Sequence, residues 1–159
     1  MAMNMLAPTP ALALIGALTA AFLPVTGQAD QEVFRVDNPA YQAECASCHI
    51  AYPPQLLPKE SWRALMSGLA DHFGTDATLD AKTAKEIQSY LEAHAGRARA
   101  DGAKPPLRIS ETRWFRHEHD ELPAATWTRP AVKSAANCAA CHTQAERGDF
   151  SEGSLRVPR

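Results

Sequence analysis

Hydrophobic and polar positions change rhythm several times along the chain. Ala11 to Leu23 is an apolar stretch without a charge, followed by Pro24 and the small-residue pattern Gly27-Gln28-Ala29, after which Asp30 opens a polar, charged chain. The stretch is shorter than the ~20 residues a membrane span needs, so it is expected to be an export signal, residues 1–29, cleaved after Ala29, even though no Lys or Arg precedes it. Further on, Trp62, Leu65, Met66, Leu69 and Phe73 fall at i, i+3, i+4, i+7 and i+11. That spacing predicts a helix with one buried face, ended by Gly74 and approached through an irregular segment held by Pro53, Pro54 and Pro58. A second helix is predicted from Asp80 to Ala95, with Ala84, Ile87 and Leu91 inward and Gly96 as its stop. Ala98 to Leu107, with Gly102 and Pro105-Pro106, breaks all periodicity and reads as a connector. A third helix is predicted from Ser134, its cap, to Arg147, stopped by Gly148, and Asp149 to Arg159 is polar and irregular. The pattern predicts a mainly α fold.

The cysteines change the picture most. All four lie in two pentads, Cys45-Ala46-Ser47-Cys48-His49 and Cys138-Ala139-Ala140-Cys141-His142. Cys-x-x-Cys-His is the attachment signature of c-type haem. On a helical turn, residues i, i+3 and i+4 share a face, so two thiols can bond the porphyrin vinyls while the histidine reaches the iron. Paired zinc knuckles usually lie about 15 to 20 residues apart, whereas Cys48 and Cys138 are 90 positions apart. A thioredoxin-like pair needs a strand and a turn before its helix, and no strand run precedes either pentad. Two covalently attached haem c groups are therefore expected, bound by Cys45, Cys48, Cys138 and Cys141, with His49 and His142 on the irons. Removal of the leader would leave 130 of the 159 residues, enough for one or two small domains in which two porphyrins supply much of the core.

Charge divides the chain as well. Asp30 to Gly96 holds ten acidic and five basic residues, whereas Arg97 to Lys133 holds eight basic and five acidic. In the second segment Arg108, Arg113, Arg116 and Arg129 are interleaved with Trp114, Phe115 and Trp127. Basic residues among aromatics can bind nucleic acid, but an exported haem protein rarely meets it. The aromatics are expected to pack on porphyrin and some arginines to pair with haem propionates, with no nucleic-acid partner.

What fills the sixth position of each iron decides between electron transfer and ligand chemistry. Candidates outside the pentads are His72, His94, His117, His119 and, after the leader, the lone Met66. On the predicted helix His72 lies about 20° from Leu65, at the border of the apolar face. Met66 shares that face and is read as core filler. His94 lies in line with Ile87 and reads as a half-exposed cap at a helix C-terminus. His117 and His119 point to opposite sides of either a strand or a helix, so one should face a haem, and spacing alone does not choose between them. Two closed irons would make an outer-sphere electron carrier. One open iron would make a peroxidase-like haem enzyme or a gas sensor.

The ordered set of residues resembles the periplasmic dihaem cytochromes c. The resemblance is carried by Glu44 with the first pentad, Ser61-Trp62, Asp71-His72-Phe73-Gly74 and the Ile87 to Leu91 helix. It continues through Thr112-Arg113-Trp114-Phe115, Arg129-Pro130, and Asn137 with the second pentad and Ala145-Glu146. It implies a class I cytochrome c-like helical haem domain at 30–97, a connector at 98–107 and a more irregular, helix-poor second haem domain at 108–159. It also implies bis-histidine ligation, with His72 completing the first iron and His119 the second, His117 being the rival. The implied role is that of a soluble, low-potential electron carrier rather than an enzyme. It would receive electrons from a membrane cytochrome b and pass them to a soluble oxygen-binding cytochrome c, touching the membrane surface only transiently.

Overall fold

The computed structural model describes residues 33–97 and 104–159, so the expected leader at 1–29 and most of the 98–107 connector lie outside the described residues. In these residues four α-helices follow one another, α1 (Pro39–Cys45), α2 (Lys59–Ser67), α3 (Ala81–Ala93) and α4 (Arg113–Glu118), joined through single 3-10 turns. Among the described residues there is no strand, only isolated bridges. No described helix is long and apolar enough to cross a membrane.

Local chemistry accounts for where the helices begin. The Asn38 side chain accepts a 2.7 Å hydrogen bond from the Tyr41 amide, and Pro39 occupies the first turn of α1, where a missing N–H costs nothing. Asp80 caps α3 by accepting from the amides of Lys82 and Thr83 at 3.0 and 3.1 Å. Thr112 caps α4 by accepting from the Phe115 amide at 3.1 Å. Helix α2 starts after Pro58 with Glu60 in its first turn, where a negative charge suits the helix dipole.

Helix α2 is shorter than its hydrophobic spacing predicts. It ends at Gly68, whose amide bonds back to Leu65, and Leu69–Asp71 tightens into a 3-10 turn. Glycine has the weakest helix tendency apart from proline, so it stops the helix six residues before Gly74. His72 therefore sits on a loop, not a helix, and Phe73 beyond it is exposed with φ of 54°. Helix α3 matches its predicted span except that His94 is the C-cap. Gly96 is needed for a different reason: a Cβ there would collide with the carbonyl of Gln55 in the turn that packs against it.

Tyr41, Leu57, Trp62, Ile87 and Leu91 form one core cluster, which brings α1, α2 and α3 together. Trp62 satisfies its indole N–H on the Pro54 carbonyl at 2.7 Å. On the surface, Glu92 of α3 receives Arg63 at 2.9 Å and Lys59 at 3.2 Å, both from α2. The hydrogen bonds from Arg63 hold the Glu92 carboxyl down at about 2.

The predicted helix from Ser134 to Arg147 is absent. Lys133 takes a φ of 68°, Ser134 caps only a turn by accepting from the Ala136 amide, and two separate 3-10 turns follow at Cys138–Ala140 and Ala145–Arg147. The tail explains this. Residues 151–156 fold back, so that Arg156 donates its amide to the Cys141 carbonyl at 2.8 Å and Thr143 donates to Ser154 through both its amide and its hydroxyl. These bonds use backbone groups that a continuous helix would keep for itself. Gly148 does stop the last turn, with φ of 77°.

The halves also touch. The Phe34 amide donates to the Gly148 carbonyl at 2.9 Å, Phe34 packs edge-on against Phe150, and Ile109 packs against the core of the first half.

Candidate functional site

Cys45 is the last residue of α1, and Cys48 and His49 follow in the turn beyond it. His49 Nδ1 lies 2.7 Å from the Ile50 carbonyl. With Nδ1 donating there, Nε2 keeps its lone pair for a metal. His72 faces this ring from the loop after α2, with ring centres 6.3 Å apart. Paired backbone bonds fix the loop, from the His72 amide to Thr75 at 2.8 Å and back at 3.2 Å, while the Gly74 amide donates to Asp71 Oδ1 at 3.0 Å. The guanidinium of Arg108 lies 3.9 Å above the Phe73 ring next door.

Between the imidazoles lies a cavity of about 530 Å³, lined by Cys45, Cys48, Trp62, Leu65 and Met66 as well as by both histidines. Its volume falls within the roughly 300 to 1,000 Å³ usual for cofactor sites. Met66 also packs against the core, as its reading as filler requires. Leu107, Arg108, Phe115 and Cys138 complete the wall, so the second half closes the first half's cavity.

At the second pentad, the 3-10 turn Cys138–Ala140 carries the His142 amide to the Cys138 carbonyl at 2.8 Å. His119 faces it at 6.1 Å between ring centres. As the C-cap of α4, His119 stacks on Phe115 at 4.0 Å and reaches the Phe115 carbonyl through Nδ1 at 2.9 Å. Trp127 and Phe150 complete an aromatic surround. Among the described residues His142 Nδ1 is buried and meets no group in hydrogen-bond geometry, although the nearby Phe150 backbone favours its protonation. The other two histidines stand apart: His117 is exposed, and His94 is an exposed cap bonded to the Tyr90 carbonyl at 2.9 Å.

The arrangement fits two imidazoles about one metal at each place. Two metal–imidazole bonds of about 2 Å in line, with roughly 1.2 Å from each nitrogen to its ring centre, separate ring centres by about 6.4 Å, close to the 6.3 and 6.1 Å found here. Burial first, then the facing imidazole, pushes both His72 and His142 below the ordinary histidine value, with Arg108 adding to the effect on His72. That favours the neutral, ligating form. Burial also raises the thiols of Cys45 and Cys138 to about 11, and that of Cys141 above its usual value. Thiolate, the form that ligates zinc or attacks a disulfide, is thereby disfavoured.

The family model of dihaem cytochrome c matches residues 41–150, which takes in both pentads and all four facing histidines. The chain belongs to the dihaem cytochrome c family. As a dihaem cytochrome c it carries two covalently bound haem c groups. It is similar to the diheme cytochrome c from Rhodobacter sphaeroides, at 47% identity and a TM-score of 0.66 over 74% of this chain and 99% of that one. It is also similar to a diheme cytochrome of type c from Shewanella baltica, at 39% identity and a TM-score of 0.67 over 76% and 93% of the two chains. Among curated proteins none matches. The mainly helical, strand-free architecture of the described residues agrees with these structures.

Sequence reasoning missed several residues of this dihaem cytochrome. Tyr52, stacked on His49, follows the first pentad by three positions and gives no periodic signal. Phe150, 5.3 Å from the His142 ring, lies in a tail that reads as merely polar. Arg108 was legible as one of several basic residues, but its seat on Phe73 was not.

Proposed function

We propose that this dihaem cytochrome c is a soluble, low-potential electron carrier of the periplasm. Cys45 and Cys48 hold the first haem through thioethers, and Cys138 and Cys141 hold the second. His49 and His72 would hold the first iron, and His142 and His119 the second. The observation that carries this reading is the pair of facing imidazoles at each pentad, with ring centres 6.3 and 6.1 Å apart. Haem c supplies a one-electron iron couple when bound. The chain's own residues do the rest. The Ile50 and Phe115 carbonyls fix the tautomers of His49 and His119 through Nδ1, so that Nε2 is the ligating atom in each. Desolvation keeps His72 and His142 neutral and available.

With each iron held between two imidazoles, a substrate would have to displace a histidine to react, so the chemistry the haems would supply here is outer-sphere electron transfer. Imidazole in place of a thioether keeps both potentials low. The same reading takes residues 1–29 as a leader, 30–97 as a class I-like haem domain, 98–107 as connector and 108–159 as the second haem domain. It takes a membrane cytochrome b as donor and a soluble cytochrome c as acceptor. Carbon monoxide added to the reduced protein tests it: neither haem spectrum should change. Binding at one haem would favour the five-coordinate enzyme or sensor.

A further inference from the structure

Phe34 precedes α1 and the first pentad, yet what it touches belongs to the second site. Its amide donates to the Gly148 carbonyl at 2.9 Å, and its ring meets Phe150 edge-on, with centres 5.9 Å apart and planes 74° from parallel. Phe150 in turn lies 5.3 Å from the His142 ring. The approach is so close that a Cβ on Gly148 would strike the Phe34 carbonyl.

His142 supplies an independent observation. His49 and His119 each settle Nδ1 on a backbone carbonyl, that of Ile50 at 2.7 Å and that of Phe115 at 2.9 Å. His142 Nδ1 is buried and meets no such partner among the described residues. The Phe150 backbone nevertheless favours protonation of this ring, which only an acceptor, and so the carbonyl, can do. That carbonyl therefore stands close to Nδ1 but just outside bonding geometry. The flanking backbone is pinned, with the Asp149 amide on the Gln144 carbonyl at 3.2 Å and the Ser151 amide on Asp149 Oδ1 at 2.8 Å. Phe150 itself takes part in no backbone hydrogen bond among the described residues, so the packing of its ring against Phe34 is what sets its place.

We propose that Phe34 is a positioning residue for the second haem: by clamping Phe150 it holds the Phe150 carbonyl as the acceptor for the Nδ1 proton of His142. The segment that leads into the first half thereby completes the site of the second. This rests on the reading of His142 as a ligand of the second iron. Such a bond leaves Nε2 as the ligating atom and makes the imidazole a more basic ligand. A more basic ligand favours Fe(III) over Fe(II), so the contact lowers the second haem's potential.

The test is NMR of the fully reduced holoprotein with isotope-labelled histidine, following exchange of the His142 Nδ1 proton with solvent. The His49 Nδ1 proton, bonded to Ile50, is the control within the same molecule. Redox titration of both haems accompanies it. Phe34→Ala should exchange the His142 proton severalfold faster and raise the second haem's potential, with the His49 proton and the first potential as in the wild type. Phe34→Tyr keeps the aromatic edge and should restore both readouts. General loosening of the fold would speed both protons together, so a parallel change at His49, or none at His142, overturns the proposal. A second potential that stays at its wild-type value overturns it too. If Phe34→Ala does not retain both haems, Phe34→Leu, which keeps bulk without the aromatic edge, is held to the same outcomes. Fewer than two haems in the wild type by pyridine haemochrome, or carbon monoxide binding to it, would instead overturn the carrier reading beneath.

Discussion

His72 and His119 reach their positions by different means, and the difference decides how each should respond to change. His119 is a helix C-cap whose ring is stacked on Phe115, while His117 is exposed to solvent on the same short helix. Replacing His119 by Ala should open the second haem to carbon monoxide in the reduced state and leave the first closed. His117→Ala should open neither; if it does, the assignment is reversed. His72 stands on a loop beside the left-handed Phe73, so His72→Met should be accommodated and should raise the first haem's potential, read by redox titration. Gly148 combines a φ of 77° with a backbone so close to Phe34 that a Cβ would strike the Phe34 carbonyl. Gly148→Ala should therefore cost at least about 1–3 kcal/mol in denaturant unfolding of the holoprotein. An unchanged midpoint would mean that the segment around Phe34 does not lie there in solution. At this scale the pentads were legible because their spacing is itself chemistry. Phe34 was not, because it acts across most of the chain length on residues with which it shares no pattern.

Among the elements, α3 was legible nearly to its ends, since it combines a capping Asp80, a buried Ile87–Leu91 stripe and enough turns to show a period. Helix α2 shows the limit of that signal. Its apolar spacing runs on through Phe73, but the backbone leaves the helix at Gly68, because a side-chain pattern does not record whether a glycine will break the turn. Helix α4 has six residues, too few for a period to emerge. The region from Ser134 to Arg147 had helix-forming composition, yet the returning tail took its hydrogen bonds, a tertiary effect that no local window contains. The link between α2 and α3 is open to test through pH. The Glu92 carboxyl falls from an ordinary 4.5 to about 2 because the folded state bonds its anion to Arg63. A depressed carboxyl contributes stability fully above pH 4.5 and loses it as pH falls toward 2. Thermal unfolding should show that decline in the wild type and less of it in Glu92→Gln. Identical pH dependence in the two would remove this ion pair from the stability of the helix pair.

Over the whole molecule, the family resemblance was legible because it needs only an ordered set of short motifs. The way the halves close on one another was not. Charge is distributed unevenly, with ten acidic against five basic residues over Asp30 to Gly96 and eight basic against five acidic over Arg97 to Lys133. Transient redox partners use small interfaces and rely on steering between exposed charges, which physiological salt screens beyond about 8 Å. Stopped-flow electron transfer to the physiological acceptor should slow steadily as salt is added. Rates that stay flat or rise would point to docking through an apolar haem edge instead. The central claim, however, is that imidazoles close both irons, and electron paramagnetic resonance of the frozen oxidised protein at neutral pH tests it most directly, with the signals integrated against the haem content. The account predicts that all the iron is low-spin; a high-spin signal amounting to about one haem per chain would contradict it.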